Sequence, residues 1–462
     1  MQLQLWLEAV GHGRLLSAAA VVALYLGMTA WCLRSYWLRP LRSAWKGADS
    51  STHAVVARPA LLVAYASQTG FAHQLARQTA QSLSDAGATR LASLQELDAE
   101  QLSSVAQAFF VVSTTGEGDA PDAAARFVRH TLSRNVALPD LRYGMLALGD
   151  REYDRYCAFG HRLDAWLRHQ GAQPLFDLVE VDNGDAGALR HWQHQLSVLS
   201  GRTDLPDWEA PAYQNWRLIE RRLINPGSAG DPCFHLALRP TDDVPLRWEA
   251  GDIAEIDPHN SATLPHREYS IASVPADGTL QLLVRQMKRP DGTLGIGSGW
   301  LTQHAAVGED LALRIRANSS FRIPTEPRPL ILIGNGTGIA GLRALLKARI
   351  SADQYRNWLI FGERNAAFDR FYGDELRQWR EQAQLRVDLV FSRDQPARRY
   401  VQHRLQECAA TIKDWVADGA AVYVCGSLQG MAPAVDAALT SILGADIKEQ
   451  LAIDGRYRRD VY

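Results

Sequence analysis

The sequence predicts an α/β fold combined with a β-barrel, placed after an N-terminal transmembrane helix. Three observations predict this class. An uncharged run of 19 residues lies near the N-terminus. Two long regions repeat a pattern of apolar strand, glycine- or hydroxyl-rich loop and helix, which is typical of doubly wound parallel sheets. Between those regions come short strands separated by turn residues, as in an antiparallel barrel.

The composition excludes several classes of function. The chain has 462 residues, enough for about three domains. Its formal net charge of −2 gives no reason to expect a nucleic-acid partner. The cysteines are far apart and form no CxxC pair, which argues against a zinc site, an iron–sulfur cluster or a disulfide framework. They are Cys32, Cys157, Cys233, Cys408 and Cys425. We therefore expect a reducing compartment and no metal.

The N-terminal segment, 1–43, predicts a membrane anchor. Residues 15–33 carry no charge, and this length suffices to cross a hydrocarbon core of roughly 30 Å. Basic residues follow the run, namely Arg34, Arg39, Arg42 and Lys46. The positive-inside rule then predicts a single-pass protein, as in a bacterial inner membrane, with its later domains in the cytoplasm. The alternative, a cleaved signal peptide, would have a shorter apolar region with its charge in front. The polar stretch 44–59 predicts a linker.

The first lobe, predicted over 60–200, has three polar loops that follow strands. The apolar run 61–66 leads into a hydroxyl-rich turn and a helical pattern, an arrangement that suits a phosphate. Two more strands run into glycine-containing loops, and Tyr153 can lie flat on an aromatic ligand. Because the carboxyl ends of parallel strands share one edge of a sheet, a ligand is expected there. The candidate residues are Ser67, Gln68, Thr69, Gly70, Phe71, Ala72, Thr114, Thr115, Gly116, Glu117, Gly118, Gly149, Asp150 and Tyr153.

These loops, "SQTGFA", "STTGEGD" and "LGDREYDRYCAFG", resemble the three FMN loops of the flavodoxin-like domain of diflavin reductases. The resemblance implies that residues 67–72 hold the FMN phosphate. It also implies that residues 114–118 and 149–153 line the isoalloxazine. Some relatives have a second stacking tyrosine where Thr115 stands, so one face of the ring would be more open here.

The second lobe, predicted over 201–326, has short strands and the motifs "REYSIAS" and "GIGSGWL". Arginine, tyrosine and serine on one strand can pair with a pyrophosphate, stack on a ring and reach a flavin edge. The pair of motifs resembles the FAD domain of the ferredoxin–NADP reductase superfamily. The resemblance implies FAD contacts from Arg267, Tyr269, Ser270, Gly295, Gly297 and Ser298. Only 15 residues separate Gly251 from Arg267, where haemoprotein and sulfite reductase flavoproteins carry a large helical insert.

The third lobe, predicted over 327–462, repeats the pattern of strand, glycine loop and helix. Gly336, Thr337 and Gly338 should cradle the pyrophosphate of a pyridine dinucleotide. The stretch "SRDQPARRYVQ" gathers arginines, a hydroxyl and a ring after a strand, and it resembles the NADPH-binding segment of diflavin reductases. The candidate NADPH residues beyond the glycine loop are Arg364, Ser392, Arg393, Arg398, Tyr400 and Gln402. Relatives usually have proline where Gly341 stands and aspartate where Ser427 stands, so this chain departs from the family at these two positions.

The C-terminal "GRYRRDVY" ends in an aromatic residue that resembles the ring covering FAD in this superfamily. By the same resemblance, Ser270, Cys425 and Asp460 surround the site of hydride transfer, and Tyr462 must yield to nicotinamide. Ser270 would hydrogen-bond the flavin, and Asp460 would stabilise developing positive charge. The residues alone also allow Cys425 to be a buried small apolar side chain.

The resemblance covers residues 61–462 and predicts an NADPH-dependent diflavin reductase with FMN and FAD. Electrons would pass from NADPH to FAD, then to FMN and to a one-electron acceptor. That acceptor is predicted to be a haem or iron-handling protein, at the membrane. One alternative is the flavoprotein component of a sulfite reductase. Another is a non-catalytic electron-transfer scaffold.

Overall fold

The computed structural model describes residues 61–84, 87–115, 118–151, 153–201, 208, 212–242, 244–261 and 266–462. The predicted segments 1–43 and 44–59 lie outside this range. Within it, no helix is both long and apolar enough to span a bilayer. The longest described helix, Ala186–Ser200, has 15 residues, or about 22 Å at 1.5 Å per residue, short of a hydrocarbon core of roughly 30 Å. The fold class and the localisation are corrected accordingly, because the predicted transmembrane helix and membrane placement are not supported.

The first sheet is parallel, with the strand order β2-β1-β3-β4, and two short strands both pair with β4. Its central strands are buried on both faces, as expected when helices cover a parallel sheet. The strands are β1 Leu61–Ala66, β2 Thr89–Ser93, β3 Gln107–Ser113, β4 Arg142–Gly149, β5 Gln173–Pro174 and β6 Val179–Asp182. The helices are α1 Phe71–Leu83, α2 Ala99–Ser103, α3 Ala125–His130, α4 Ala158–His169 and α5 Ala186–Ser200. This is the flavodoxin-like strand order.

The second sheet is antiparallel, with the strand order β10-β9-β12-β7-β8-β11. Its apolar side chains form one core that includes Trp216, Leu236 and Leu282. The strands are β7 Gln214–Leu223, β8 Cys233–Pro240, β9 Ile253–Ile256, β10 Arg267–Ser270, β11 Leu280–Arg285 and β12 Asp310–Arg316. The short helix α6, Ile296–Gly299, continues into a π-helical turn, Trp300–His304. The alternation of short strands and turns thus forms the expected antiparallel barrel sheet.

The third sheet is parallel, with the strand order β15-β14-β13-β16-β17. Apolar clusters cover both of its faces. The strands are β13 Leu330–Asn335, β14 Asn357–Glu363, β15 Arg386–Phe391, β16 Ala421–Gly426 and β17 Tyr457–Val461. The helices are α7 Ile339–Ser351, α8 Gly373–Glu381, α9 Val401–Glu407, α10 Ala409–Ala417, α11 Met431–Leu443 and α12 Ala445–Ile453. This is a doubly wound nucleotide-binding order, in which β17 is an edge strand.

The strands of the three sheets lie within the predicted lobes 60–200, 201–326 and 327–462. The limits of those lobes remain predictions. The carboxyl ends of β13, β14, β15 and β16 point to the edge of the third sheet that carries the nucleotide motifs. The barrel strand β10 approaches this edge, since Ser270 contacts Asp460 of β17.

Candidate functional site

A cleft of about 1100 Å³ lies between the barrel and the third sheet. Binding sites for small ligands commonly enclose roughly 300–1,000 Å³, so this cleft is large for a single ligand. Its walls include most of the predicted residues from both lobes. Those residues are Arg267, Tyr269, Ser270, Gly295, Gly297, Ser298, Gly336, Thr337, Arg364, Ser392, Arg393, Tyr400, Gln402, Asp460 and Tyr462. Thr69 of the first lobe also lines it.

The barrel wall of the cleft is built from β10 and the start of α6. A Cβ atom added at Gly297 would lie 2.6 Å from Cγ of Arg267, so only glycine lets the helix pack this closely on the strand. The hydroxyl of Ser298 accepts a hydrogen bond from the backbone N–H of Met287 at 3.1 Å. Burial raises the pKa of the Tyr269 phenol, so this ring is neutral when a ligand stacks on it.

The opposite wall contains the glycine loop at the end of β13. A Cβ atom at Gly338 would overlap the carbonyl oxygen of Cys425 and lie 2.7 Å from Cα of Gly426. Gly336 has φ +57°, a left-handed conformation. Asn335 accepts a hydrogen bond from the backbone N–H of Ser427 at 3.0 Å, while the Ser427 hydroxyl donates to the carbonyl of Gln429 at 2.5 Å. The loop is therefore held against β16 and leaves its backbone open to the cleft.

The predicted 2′-phosphate cluster is split between cleft and surface. Ser392 is buried, and its N–H donates to the carbonyl of Glu363 at 2.8 Å, while the N–H of Arg393 donates to the carbonyl of Arg364 at 2.8 Å. Both residues line the cleft, together with Tyr400 and Gln402. Arg398 is exposed and is not part of the lining, whereas Arg399 is, although it pairs with Glu407.

Four predicted hydride-transfer residues come together at the end of β17. The hydroxyl of Ser270 donates to Oδ2 of Asp460 at 2.8 Å, and Sγ of Cys425 lies 3.7 Å from the same oxygen. Cys425 and Asp460 are paired in register on neighbouring strands. The phenol of Tyr462 donates to Oγ1 of Thr337 at 3.3 Å, which places the last ring between the glycine loop and this cluster.

Burial sets the protonation of this cluster. It raises the pKa of the Asp460 carboxyl above 3.8, against an opposing hydrogen bond from Ser270. Burial also raises the pKa of the Cys425 thiol well above 9.0, and the neighbouring Asp460 adds to this. Cys425 is therefore a neutral thiol and not a nucleophile. Gly341 lies beneath the cluster, since a Cβ there would be 3.5 Å from both Sγ of Cys425 and Cβ of Ser270.

The predicted FMN loops lie at the carboxyl ends of the adjacent strands β1, β3 and β4. The hydroxyl of Ser67 accepts from the N–H of Gly70 at 2.9 Å, and Gly70 has φ +90°, so the chain turns here into α1. Phe71 and Ala72 begin that helix. Thr69 accepts a hydrogen bond at its carbonyl from Arg316 of the barrel.

The second and third FMN loops are joined by hydrogen bonds. The N–H of Thr114 donates to the carbonyl of Leu148 at 3.0 Å, and its hydroxyl accepts from the N–H of Phe159 at 3.3 Å. Gly118 has φ +101°, and a Cβ at Gly149 would lie 2.8 Å from the backbone nitrogen of Cys157. Tyr153 exposes 40% of its surface. Asp150 lies in the same loop, Thr115 bridges to Asp119, and Gly116 and Glu117 lie outside the described residues.

The side chain of Gln68, a predicted FMN phosphate residue, contacts another lobe. Its side-chain amide donates to the carbonyl of Arg459 at 2.7 Å and to Oδ2 of Asp122 at 3.2 Å. Its amide oxygen accepts from the N–H of Asp122 at 3.0 Å. The side chain of Gln68 therefore joins the first lobe to β17 of the third.

The geometry agrees with comparisons to known proteins. Residues 63–192 match the flavodoxin family, and residues 332–437 match the oxidoreductase NAD-binding domain. The NADPH sulfite reductase flavoprotein alpha-component of Vibrio parahaemolyticus is 26% identical over 88% of this chain and 88% of its own length. That of Aliivibrio fischeri is 24% identical over 94% of both chains, and that of Bacillus subtilis is 25% identical over 87% and 89%.

The chain belongs to the diflavin reductase family. It is an NADPH-dependent flavoprotein oxidoreductase whose cofactors are FMN and FAD. The prediction of the family is confirmed, and the alternative of a non-catalytic scaffold is not supported.

The residues of this diflavin reductase fit its cofactors. The three loops at the edge of the first sheet could hold FMN through hydroxyls, glycine backbone and the Tyr153 ring. In the large cleft, Tyr269 and two glycines on the barrel side could hold FAD, and the glycine loop with its cationic rim could hold NADPH.

Sequence reasoning missed an ion pair in the cleft wall. Nη2 of Arg285, at the end of β11, lies 2.8 Å from Oε1 of Glu363, at the end of β14. Both residues line the cleft, and a Cβ at Gly336 would be 3.4 Å from the same guanidinium nitrogen of Arg285. In the sequence, the available sign was that an arginine and a glutamate each end an apolar strand. Only the fold reveals that these two strand ends meet.

Proposed function

We propose that this diflavin reductase transfers a hydride from NADPH to FAD within the cleft and delivers electrons through FMN to a haemoprotein. When bound, FAD takes up the hydride and FMN passes electrons singly to the acceptor. One observation carries the proposal: the predicted FAD residues and the predicted nucleotide residues face each other across a single cleft. The FMN loop residue Thr69 belongs to the same walls, which supports a short route between the flavins.

At the hydride-transfer site the chain supplies orientation and electrostatics. Ser270 is held by Asp460 and would hydrogen-bond a flavin that stacks on Tyr269. Asp460, when ionised, stabilises the positive charge that develops on nicotinamide. Cys425 would pack near the nicotinamide as a neutral thiol, and Tyr462 would cover the flavin and yield its place to nicotinamide. The 6% exposure of Asp460 keeps water away from its carboxylate and strengthens this interaction.

For the nucleotide we propose that Gly336, Thr337 and Gly338 hold the pyrophosphate. The 2′-phosphate would be bound by Ser392, Arg393 and Gln402, with Tyr400 against the adenine and Arg364 nearby, while Arg398 lies outside the cleft lining. Charge-assisted hydrogen bonds from arginine to phosphate are among the strong ones in proteins. The exposed position of Arg393 on the cleft wall supports this role.

The specific acceptor is a second proposal. The relatives are flavoprotein alpha-components of sulfite reductases, which favours a sulfite-reducing haemoprotein as the partner. The short connection between Gly251 and Arg267 distinguishes this chain from enzymes with the helical insert, so its docking geometry differs. Sulfide production from NADPH and sulfite with a candidate haemoprotein would support this acceptor. If another haemoprotein is reduced and sulfite is not, the acceptor lies elsewhere.

The test of the main proposal is flavin content followed by reduction. Purified protein should contain FAD and FMN in equal amounts, and NADPH should bleach their absorbance. Asp460→Asn should retain both flavins yet slow the bleaching in single-turnover mixing. A protein that folds with one type of flavin, or whose flavins are not reduced by NADPH, would contradict the proposal.

A further inference from the structure

A closed ring of hydrogen bonds joins the first lobe, called the FMN lobe from here on, to β17. This strand carries Asp460, one of the proposed hydride-transfer residues. Arg459 of β17 directs its guanidinium at Asp122 of the FMN lobe. Its Nε lies 3.1 and 3.0 Å from the two carboxylate oxygens, and its Nη2 contacts Oδ1. The side chains of Arg459 and Asp122 are 28% and 18% exposed, so the pair is partly shielded from water.

Gln68 closes the ring. As described above, its amide bonds both Asp122 and the carbonyl oxygen of Arg459. The FMN lobe thus holds both the side chain and the main chain of Arg459. Since Gln68 belongs to the FMN phosphate loop, the loop that holds one flavin also contacts the strand that serves the other.

Among the strands that the structure describes, β17 pairs with one neighbour. It is the edge strand of the third sheet and pairs with β16, where Val424 faces Arg459 and Cys425 faces Asp460. Successive side chains of a strand point to opposite faces. Arg459 is therefore turned to the FMN lobe, while Asp460 is turned to Ser270 and the cleft. A shift of Arg459 must move Asp460, and Tyr462 lies two residues further on.

We propose that Arg459 is a positioning residue for hydride transfer and that the FMN lobe holds it in place through Asp122 and Gln68. The inference rests on the proposed roles of Asp460 and Tyr462. With the ring intact, Asp460 stays at hydrogen-bond distance from Ser270. With the ring broken, β17 loses the contacts that hold Arg459, and both Asp460 and Tyr462 are less well placed. The FMN lobe then contributes to the first step of the reaction before it receives an electron.

The variant that tests this is Asp122→Asn, which keeps size and removes the charge. In the holoenzyme we expect the rate of FAD reduction by NADPH to fall about tenfold, as for the loss of roughly one charged hydrogen bond. The KM for NADPH should stay the same or fall, because Tyr462 resists nicotinamide less. The primary isotope effect with 4-deuterated NADPH should rise, since hydride transfer becomes more rate-limiting. A purely structural loss would instead lower flavin content and raise KM.

Arg459→Lys should give a smaller loss of rate, because a charge remains without the bidentate geometry.

The control is Arg129→Ala, which breaks another pair between the lobes. Arg129 of α3 pairs with Asp446 and Glu449 of α12, and neither partner is a residue of β17. We expect this variant to reduce FAD within about twofold of the wild-type rate, as befits an exposed pair. Equal rates in Asp122→Asn and wild type would overturn the inference, and so would an equal slowing in both variants. If wild-type flavin is not reduced by NADPH at all, the proposed function itself has failed.

Discussion

Replacing Arg393 with alanine should lower the selectivity for NADPH over NADH by about 10- to 30-fold. Arg393 is exposed on the cleft wall, and its backbone is fixed by the carbonyl of Arg364 at 2.8 Å. A hydrogen bond to a charged group contributes about 1.5–3 kcal/mol, and exposure to solvent favours the lower half of that range. At about 1.4 kcal/mol per decade, 1.5–2 kcal/mol corresponds to the stated factor.

The assay is steady-state kcat/KM for NADPH and NADH with ferricyanide as the acceptor. The loss should be confined to NADPH, because NADH has no 2′-phosphate. Arg398→Ala is the matched comparison, since Arg398 carries the same charge on the same loop but does not line the cleft. We expect a loss of less than about threefold there, the magnitude typical of an exposed pair. Equal losses for both nucleotides in Arg393→Ala would refute the assignment of the 2′-phosphate site.

Further predictions concern the hydride-transfer site and the glycines beside it. Tyr462→Ala should raise kcat/KM for NADH relative to NADPH, because no ring competes with nicotinamide; an unchanged ratio in the same assay would contradict the covering role. The rate of FAD reduction should rise with pH through the elevated pKa of Asp460, whose ionised form is the active one, and this limb should be absent from the pH profile of Asp460→Asn. The same elevated pKa means that the native state holds this proton more tightly than the unfolded chain, so its contribution to stability is full at acid pH and is lost as pH rises through it. In denaturant titrations, Gly338→Ala should lower the free energy of unfolding by about 1–3 kcal/mol or more, because the new Cβ overlaps Cys425. Gly341→Ala makes only ordinary contacts, so it should leave the free energy of unfolding unchanged or raise it by up to about 1 kcal/mol.

The sequence predicted what depends on local pattern. The apolar runs that end at Ala66, Ser113 and Gly149 are adjacent parallel strands, as their polar loops suggested. The clustering of Ser270 with Asp460 was expected only through resemblance to a family, because 190 residues separate them. Periodicity reports which residues are buried, and it carries no information about which distant groups meet.

The contacts that the sequence did not predict join residues that are far apart in the chain. Arg459 and Asp122 lie 337 residues apart and pair only because the two α/β lobes approach each other. The role of Gln68 at the FMN phosphate stays a prediction, and no sign in the sequence indicated that its side chain also reaches the other lobe. The membrane helix was predicted from an uncharged run and the basic residues after it, and the described helices give it no support.

Much of the contact between the lobes is made through main-chain oxygens. Ser320 donates to the carbonyl of Ser67 at 3.0 Å, Arg316 to that of Thr69, and Gln68 to that of Arg459. Amino-acid replacement at an acceptor position leaves its carbonyl in place, so this part of the interface tolerates substitution during evolution. Dissolved salt screens exposed pairs such as Arg129 with Glu449 far more than such partly buried bonds. Raising ionic strength would therefore loosen the periphery of the interface first and leave its centre to hold the two flavin lobes together.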